Sequence, residues 1–411
     1  MLLRKTHLHR ALRQKSATRT DPQYHTNPCR TSFSLLYNAL ILVFARPMTP
    51  LAYQLLTWFT AHARPLPWRQ TYDPYHVWLA EIMAQQTQME RVVGYFCRFT
   101  AAIPSIADLA QTPEENVLKL WEGLGYYRRA RHLLQCARIL CQDFGGQLPH
   151  SPAILQRLPG IGPYVAAAIA SIAYNLPVPL LDANVLRIGT RLLAWPEPTT
   201  LAATRQRMNA FCQEHLPPEA ARDFNQGLME LGALVCTPRA PRCPDCPIAA
   251  FCQANQHQAV DAFPVRPPRP QIIHITMATG LLWHEGRVLV QQRHTDDVWG
   301  GLWEFPGGVV EAHETPQAAV CREFAEETAL NVTHPLHLGI FHHSYMHYRV
   351  RLHAFQVHLA SASHAFELRA AQAARWATWE EVLQLPFPAG HRKLIHWLNQ
   401  HPHHLPGQQT P

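Results

Sequence analysis

The stretch Leu158–Pro159–Gly160–Ile161–Gly162–Pro163–Tyr164 admits few folds. A segment arriving from Pro149–Leu158 must stop there, and a helix of small apolar residues, Val165–Ala173, must begin just after it. Gly160 and Gly162 can take φ > 0 without Cβ strain, and Pro163 suits a first helical turn. The free N–H groups of such a turn, with the helix N-terminus behind it, form a neutral anion site that small side chains leave open to a phosphate. Eighteen residues after Tyr164 stands Asp182, in Leu181–Asp182–Ala183–Asn184–Val185. An acid downstream of a phosphate-gripping turn suggests chemistry on a nucleic acid.

Helical periodicity surrounds this stretch from Pro50 to Val235. Leu51, Leu55, Leu56 and Phe59 form one stripe, Val77–Met89 and Val92–Phe99 two more, and Ala130–Cys141 follows the interruption Gly123–Leu124–Gly125–Tyr126–Tyr127–Arg128–Arg129. The character changes after Phe263–Pro264–Val265–Arg266–Pro267–Pro268–Arg269–Pro270, a stiff extended linker. Beyond it, Ile272–Leu282 and Arg287–Gln291 read as strands and Thr315–Thr328 as a helix. Tyr348, Val350, Leu352 and Ala354 alternate before the phase shifts to Phe355, Val357 and Leu359, a strand with a bulge. The fold class is multi-domain, an all-α half followed by an α+β half. The expected boundaries are a basic disordered tail over 1–47, helices over 48–260, a linker over 261–271, the second domain over 272–400 and a disordered tail over 401–411.

The net charge of +7 is misleading, because residues 1–47 hold eight Arg and Lys against one Asp and the remainder is balanced at 28 of each sign. Nucleic-acid binding must therefore be argued from local features. The Arg-, Ser- and Thr-rich composition of that tail permits a transit-peptide reading; the alternatives are plain disorder or a true start at Met48. No apolar run reaches the ~18 residues of a membrane span, so no membrane partner is expected.

Cys236, Cys243, Cys246 and Cys252 close the helical half with metal-ligand spacing. One Cys-x2-Cys hook with two wider gaps suits an iron–sulfur cluster better than zinc, which usually takes two short hooks. Taken with the glycine hairpin and Asp182, this spacing resembles the helix–hairpin–helix DNA glycosylases that carry a [4Fe–4S] cluster in a loop, here 236–252. Within them, Trp78–Leu79–Ala80–Glu81–Ile82–Met83–Ala84–Gln85–Gln86–Thr87–Gln88, Leu66–Pro67–Trp68–Arg69, the Gly123–Tyr127 run and Leu181–Val185 resemble the adenine DNA glycosylase (MutY) family.

The resemblance implies base-excision repair of double-stranded DNA, with adenine removed opposite 8-oxoguanine or guanine, by a monomer that is cytoplasmic and nucleoid-associated if the host is bacterial. It implies Glu81 as the acid that protonates adenine N7, and Asp182, held by Asn184, as the carboxylate that steadies the sugar cation. Tyr164 and Asn184 would line the sugar side, and Arg69 and Gln226, with Trp68 beside them, the adenine. Gln86 and Tyr126 would enter the base stack, and Gly160 and Gly162 would meet DNA phosphates. Tyr164 stands where lyase-active relatives such as endonuclease III carry a Schiff-base Lys, which implies a monofunctional enzyme. Ala84 departs from the usual Leu.

The second domain resembles the Nudix fold that reads 8-oxoguanine in this family. Gly308-x5-Glu314-x7-Arg322–Glu323–Phe324-x-Glu326–Glu327-x-Ala329–Leu330 matches the Nudix box apart from Ala329, which replaces Gly. Glu323, Glu326 and Glu327 share one helix face, a candidate Mg²⁺ site. Phe341–His347 aligns with the lesion-sensing loop, but Met346 replaces a hydrogen-bonding Ser, so the expectation is either weaker lesion discrimination or a shift of sensing to Ser344, Tyr345 or His347. Two other readings stay open: a glycosylase of this fold acting on thymine or uracil, and a bifunctional protein whose second half also hydrolyses oxidised nucleoside triphosphates.

Overall fold

The computed structural model describes residues 47–265, 271–361 and 364–405. The expectations for residues 1–46, for 266–270 of the linker and for 406–411 of the tail lie outside the described residues.

The helical half runs α1 (Pro50–His62), α2 (Pro74–Ala84), α3 (Met89–Ala102), α4 (Ile106–Gln111), α5 (Glu114–Trp121), α6 (Arg128–Asp143), α7 (Pro152–Leu155), α8 (Pro163–Ala168), α9 (Ala183–Leu192), α10 (Ala202–His215), α11 (Ala221–Leu234) and α12 (Gln253–Gln256). The Asp73 side chain starts α2 by accepting from the N–H groups of Tyr75 and His76, with Pro74 in the first turn. Apart from Glu81, every α2 residue from Val77 to Met83 is apolar and buried, as a helix surrounded by others requires. The helix stops at Ala84, short of the stripe expected to reach Met89. Gln86 turns the chain at φ +58, and the Arg129 guanidinium takes the carbonyls of Ile82, Met83 and Gln85 at 2.7, 3.1 and 2.6 Å, where a further helical turn would have bonded them.

Two apolar cores flank α2. Trp78, Phe99, Trp121 and Leu133 belong to one, and Leu55, Val77, Ile188 and Phe224 to the other. Tyr164 at the start of α8 touches both, so the glycine turn delivers its side chain to the seam between them. Gly160 takes φ +75, and a Cβ there would lie 2.8 Å from the His132 Cβ. Gly162, expected to need φ > 0, is extended at φ −81 as the residue that begins α8; what it supplies is open space, since a Cβ there would meet nothing within 4 Å.

The second half contains β1 (Ile273–His284), β2 (Arg287–Gln292), β3 (Trp303–Glu304), β4 (Gly307–Val309), α13 (Pro316–Thr328), β5 (Val332–Tyr345), β6 (Tyr348–Leu359), β7 (Ala373–Ala377), α14 (Trp379–Gln384) and α15 (Ala389–Gln400). The sheet order is β3-β2-β1-β6-β5, with β4 on β1 and β7 on β2. Only the β1–β6 pair is parallel among the described strands. Helix α13 covers one face through Val320 and Phe324, and α15 the other through Leu394, Ile395 and Leu398. The phase shift along β6 is a change in which face is buried, with Ala354 toward α15 and Phe355 and Val357 toward α13. The bulges lie on β5, between Thr333 and Leu336 and between His337 and Gly339. The expected sensing loop is mostly strand: β5 runs to Tyr345, which pairs with Tyr348, leaving Met346 and His347 as a two-residue turn. Residues 401–405, expected as tail, form a turn that buries Leu405 in the α15 core.

Helix α5 joins the halves. Leu302, just before β3, is fully buried in the helical core. The Trp303 indole N–H donates to Glu115 at 2.7 Å, and Arg392 pairs with Glu122 at 2.7 Å.

Candidate active site

Glu81, Tyr164, Asp182 and Asn184 line one cleft of about 1170 Å³, together with Arg69, Gln86, Arg64 and Glu230. Two acids 101 positions apart in sequence thus open onto the same space.

Glu81 is 6% exposed. Burial pushes its carboxyl up to about 7, with Asp182 adding to the rise, while the Tyr164 hydroxyl and the Arg69 charge hold it back. The Tyr164 hydroxyl donates to Glu81 Oε2 at 2.5 Å, and burial beside these acids raises the phenol well above its ordinary range. An acid of this kind is half protonated near neutrality and can give its proton to a buried base.

Asp182 caps α9. Its Oδ1 accepts from the Val185 N–H at 2.6 Å and its Oδ2 from the Asn184 amide at 2.8 Å. Burial still raises its carboxyl above the ordinary value, against those bonds and the Arg187 charge. Arg187 fixes Asn184 in turn, donating to its Oδ1 at 2.9 Å and to the Gly232 carbonyl at 2.7 Å. A Cβ at Gly232 would sit 2.5 Å from the Asn184 Cβ, so only glycine on α11 lets α9 come this close. The carboxylate sits at a helix N-terminus, which favours negative charge.

Arg69 is locked by three acceptors: Gln226 Oε1 at 2.8 Å, the Arg64 carbonyl at 3.0 Å and Glu230 Oε2 at 2.9 Å. Glu230, 1% exposed, also holds Arg64, and the two arginines keep its carboxyl below the ordinary value despite burial. Sequence reading missed Glu230 because its partners lie more than 160 positions away; a lone acid between Met229 and Leu231 was its only signal. Trp68 and Gln226 do not line the cleft. Trp68 packs edge-on to Phe96 inside the helical core, and Gln226 is buried behind Arg69.

Gln86 also borders a second cleft of about 1000 Å³, shared with Tyr126, Arg128, Arg131 and Tyr345. Tyr126 takes φ +49, and its ring lies 5.7 Å from that of Tyr345, which packs on Trp299 at 5.8 Å. Ser344 is exposed on the opposite face of β5, and Met346 is 60% exposed at the turn beside His347. Arg129, between Arg128 and Arg131 in sequence, is half-buried and turns its guanidinium to the backbone, bonded to both the α2 end and the Gly125 carbonyl at 3.1 Å.

Cys236, Cys243, Cys246 and Cys252 line one small cavity with Arg191. Arg191 Nη1 donates to Cys236 Sγ at 3.2 Å, and its buried Nη2 has no partner. Four thiols around a cation with a spare N–H fit an anionic group in this cavity. Among the described residues, no three His, Cys, Asp or Glu side chains are gathered to hold a single metal ion.

The Mg²⁺ expectation finds no support. Arg322 pairs with Glu314, Glu323 and Glu326 at 2.7, 3.0 and 3.0 Å. Glu327 turns inward, its Oε2 accepting from Gln291 at 2.8 Å and the Gly307 N–H at 2.9 Å, and burial pushes its carboxyl up to about 8. Ala329, in place of the usual Gly, takes the left-handed conformation that ends α13.

Among the described residues no helix is long and apolar enough to cross a membrane. Residues 79–214 match the HhH-GPD superfamily base excision DNA repair proteins, and residues 278–397 the NUDIX domain. Adenine DNA glycosylase of Mus musculus is 32% identical over 84% of this chain and 77% of its own. That of Homo sapiens is 32% identical over 80% and 70%. A solved thermostable thymine-DNA glycosylase is 28% identical, with a TM-score of 0.47 over 54% of this chain and 99% of that one. With its acids in one cleft and its two domains in this order, the chain is a base-excision repair DNA glycosylase and belongs to the adenine DNA glycosylase family.

Proposed function

We propose that the enzyme hydrolyses the N-glycosidic bond of adenine mispaired with 8-oxoguanine or guanine in double-stranded DNA. The observation that carries this reading is the opening of Glu81 and Asp182 onto one cleft, with Glu81 held near pKa 7. Glu81 gives its proton to adenine N7. The C1′–N9 bond breaks, and its electron pair leaves with the base. The Asp182 carboxylate, oriented by Asn184, steadies the cation left on the sugar until water adds at C1′, and the water's proton returns to a carboxylate. Pyrimidines have no N7, so this acid favours a purine.

Tyr164, donating to Glu81 Oε2, fixes the orientation of the acid, and Arg69, fixed by Glu230 and Gln226, orients the base. Gln86 and Tyr126 wedge the stack where the base leaves it, which offsets part of the few kcal/mol that flipping costs. Ser344, Tyr345 and His347 meet the opposite strand. The chain has four lysines, and neither Lys119 nor Lys393 lines the cleft, which supports hydrolysis without strand cutting. Cys236, Cys243, Cys246 and Cys252 would hold a [4Fe–4S] cluster, tying the 236–252 loop together beside Arg191. The test is a single-turnover panel of mismatched duplexes scored for the base released and for strand cutting. Adenine release opposite 8-oxoguanine or guanine, with intact strands, is the expected result. Release of thymine or uracil, or prompt cutting, overturns it.

A further inference from the structure

The turn that presents Tyr126, from Glu122 to Gly125 between α5 and α6, has each of its carbonyls taken by a side chain. The Tyr95 hydroxyl donates to the Glu122 carbonyl at 2.7 Å, and Arg91 donates to that of Gly123. Arg129 reaches the Leu124 carbonyl at 3.4 Å, and the Trp121 indole N–H the Gly125 carbonyl at 3.1 Å. The Tyr127 hydroxyl accepts from the Gly123 N–H at 3.2 Å. Surface turns ordinarily leave such groups to water.

The conformation held in this way is a costly one. Tyr126 sits at φ +49, where a bulky side chain crowds its own backbone. Gly123 and Gly125, at φ +95 and +74, supply the other left-handed steps. At Gly123 a Cβ would lie 2.3 Å from the Tyr95 hydroxyl oxygen, so glycine lets Tyr95 close over the turn. A strained residue persists only where its surroundings over-determine it.

The first residue of the turn has a second set of partners. The Glu122 side chain is 14% exposed and points across the seam. Its Oε1 accepts from the Phe387 N–H at 2.9 Å and from Arg392 at 2.7 Å, both in the sheet half. Its Oε2 takes Lys119 at 3.2 Å, and Lys119 also donates to the Leu383 and Leu385 carbonyls at 2.6 and 3.2 Å. One residue thus has its backbone in the wedge turn and its carboxylate in the seat of the sheet half.

We propose that Glu122 is a positioning residue for base extrusion: gripped by Arg392 and the Phe387 N–H, it fixes the turn that sets Tyr126, so that seating of the sheet half on α5 preorganises the wedge. The inference rests on the wedge role given to Tyr126 above. Glu122 does not line the cleft of Glu81 and Asp182.

The test uses the full-length protein carrying Glu122→Ala, Arg392→Gln or both. Single-turnover adenine release at saturating protein is measured against pH, with melting temperature as the check on folding. A duplex with 2-aminopurine at the adenine position reports extrusion separately, by its fluorescence gain on binding. Release should fall about tenfold in each single variant, the cost of a misplaced group. The double variant should lose no more than Glu122→Ala alone, since both changes cut one link. The fluorescence gain should shrink in parallel, while the pH at which release declines stays that of the parent, because the acid is untouched.

An unchanged rate in folded Glu122→Ala overturns the proposal. So does a loss of rate with the full fluorescence gain, or one that moves the pH dependence, since either places the damage in the cleft. If the parent brightens the 2-aminopurine duplex but releases no adenine, the adenine reading fails while the fluorescence comparison still decides this one.

Discussion

The molecule contains two groups of carboxylates, and they differ in what surrounds them. On α13, Glu323 and Glu326 share the charge of Arg322, and Glu327 is bonded to a backbone N–H and an amide. In the helical cleft, Glu81 has a phenol for a partner, Asp182 has a helix end, and the guanidinium groups whose charge reaches them, Arg69 and Arg187, are bound to Glu230 and Asn184. A cation against a carboxylate favours its charged form, as Arg322 does for Glu314, whose carboxyl it holds below the ordinary value. A dry cleft without such a partner keeps a proton available at neutral pH. The i, i+3, i+4 spacing on α13 was the more visible pattern in sequence, yet the proposed chemistry rests on the pair separated by 101 positions.

The strongest way to break that comparison is Glu81→Gln. Adenine release should fall by about 10²–10⁴, the usual worth of a positioned acid, while duplex binding survives. In the parent, release should decline about tenfold per unit above pH 7, since the base form of Glu81 cannot protonate N7. Stability has its own pH signature. Below the ordinary carboxyl value both states are neutral; as pH rises toward 7 the unfolded chain ionises first and the folded protein loses stability, levelling above about 7. Glu81→Gln is spared this loss, so above pH 7 it should be more stable than the parent, by up to about 3 kcal/mol at ~1.4 kcal/mol per unit. Full activity in the variant would remove Glu81 from the acid's role.

Asp182→Asn should follow, with release down about 10²–10³, the scale of a lost charge stabiliser. Because Asn can still accept from the Val185 N–H and cap α9, melting temperature should hardly move. A large drop in melting temperature with little loss of rate would recast Asp182 as a cap. Arg129→Lys comes next. It keeps the charge but cannot span the carbonyls of Ile82, Gln85 and Gly125 together, so the end of α2 and both wedge residues should loosen. Release should fall about 10–100-fold, with weaker stacking of Tyr126 seen as lost fluorescence of a 2-aminopurine placed in the flipped position.

How much of this was legible depends on the reach of each contact. Helix α2, its buried acid and the Gly160 turn follow from local patterns: an apolar run, a cap, a glycine. The end of α2 did not, because Arg129, 44 positions from Gln85, decides it. Strand β5 was missed because its exposed His and Ser residues and its two bulges break the alternation that marks a strand. Trp68 and Gln226 were assigned to the site from resemblance, and packing puts both behind it.

The smallest effect is expected from Glu327→Gln, and it sharpens the contrast most. If the α13 acids take no part in base excision, adenine release should stay within about twofold of the parent. The stability signature should remain: burial holds this carboxyl up at about 8, so the parent loses stability as pH rises from the ordinary carboxyl range and levels only above 8. Glu327→Gln keeps an oxygen for the Gly307 N–H and carries no such loss. The difference in melting temperature between the two proteins should therefore be near zero at pH 4, widen to pH 8 and then hold. Calorimetry repeated with Mg²⁺ completes the comparison. If the cation stabilises the parent and not the variant, α13 is a metal site after all, and the two carboxylate groups are more alike than their partners suggest.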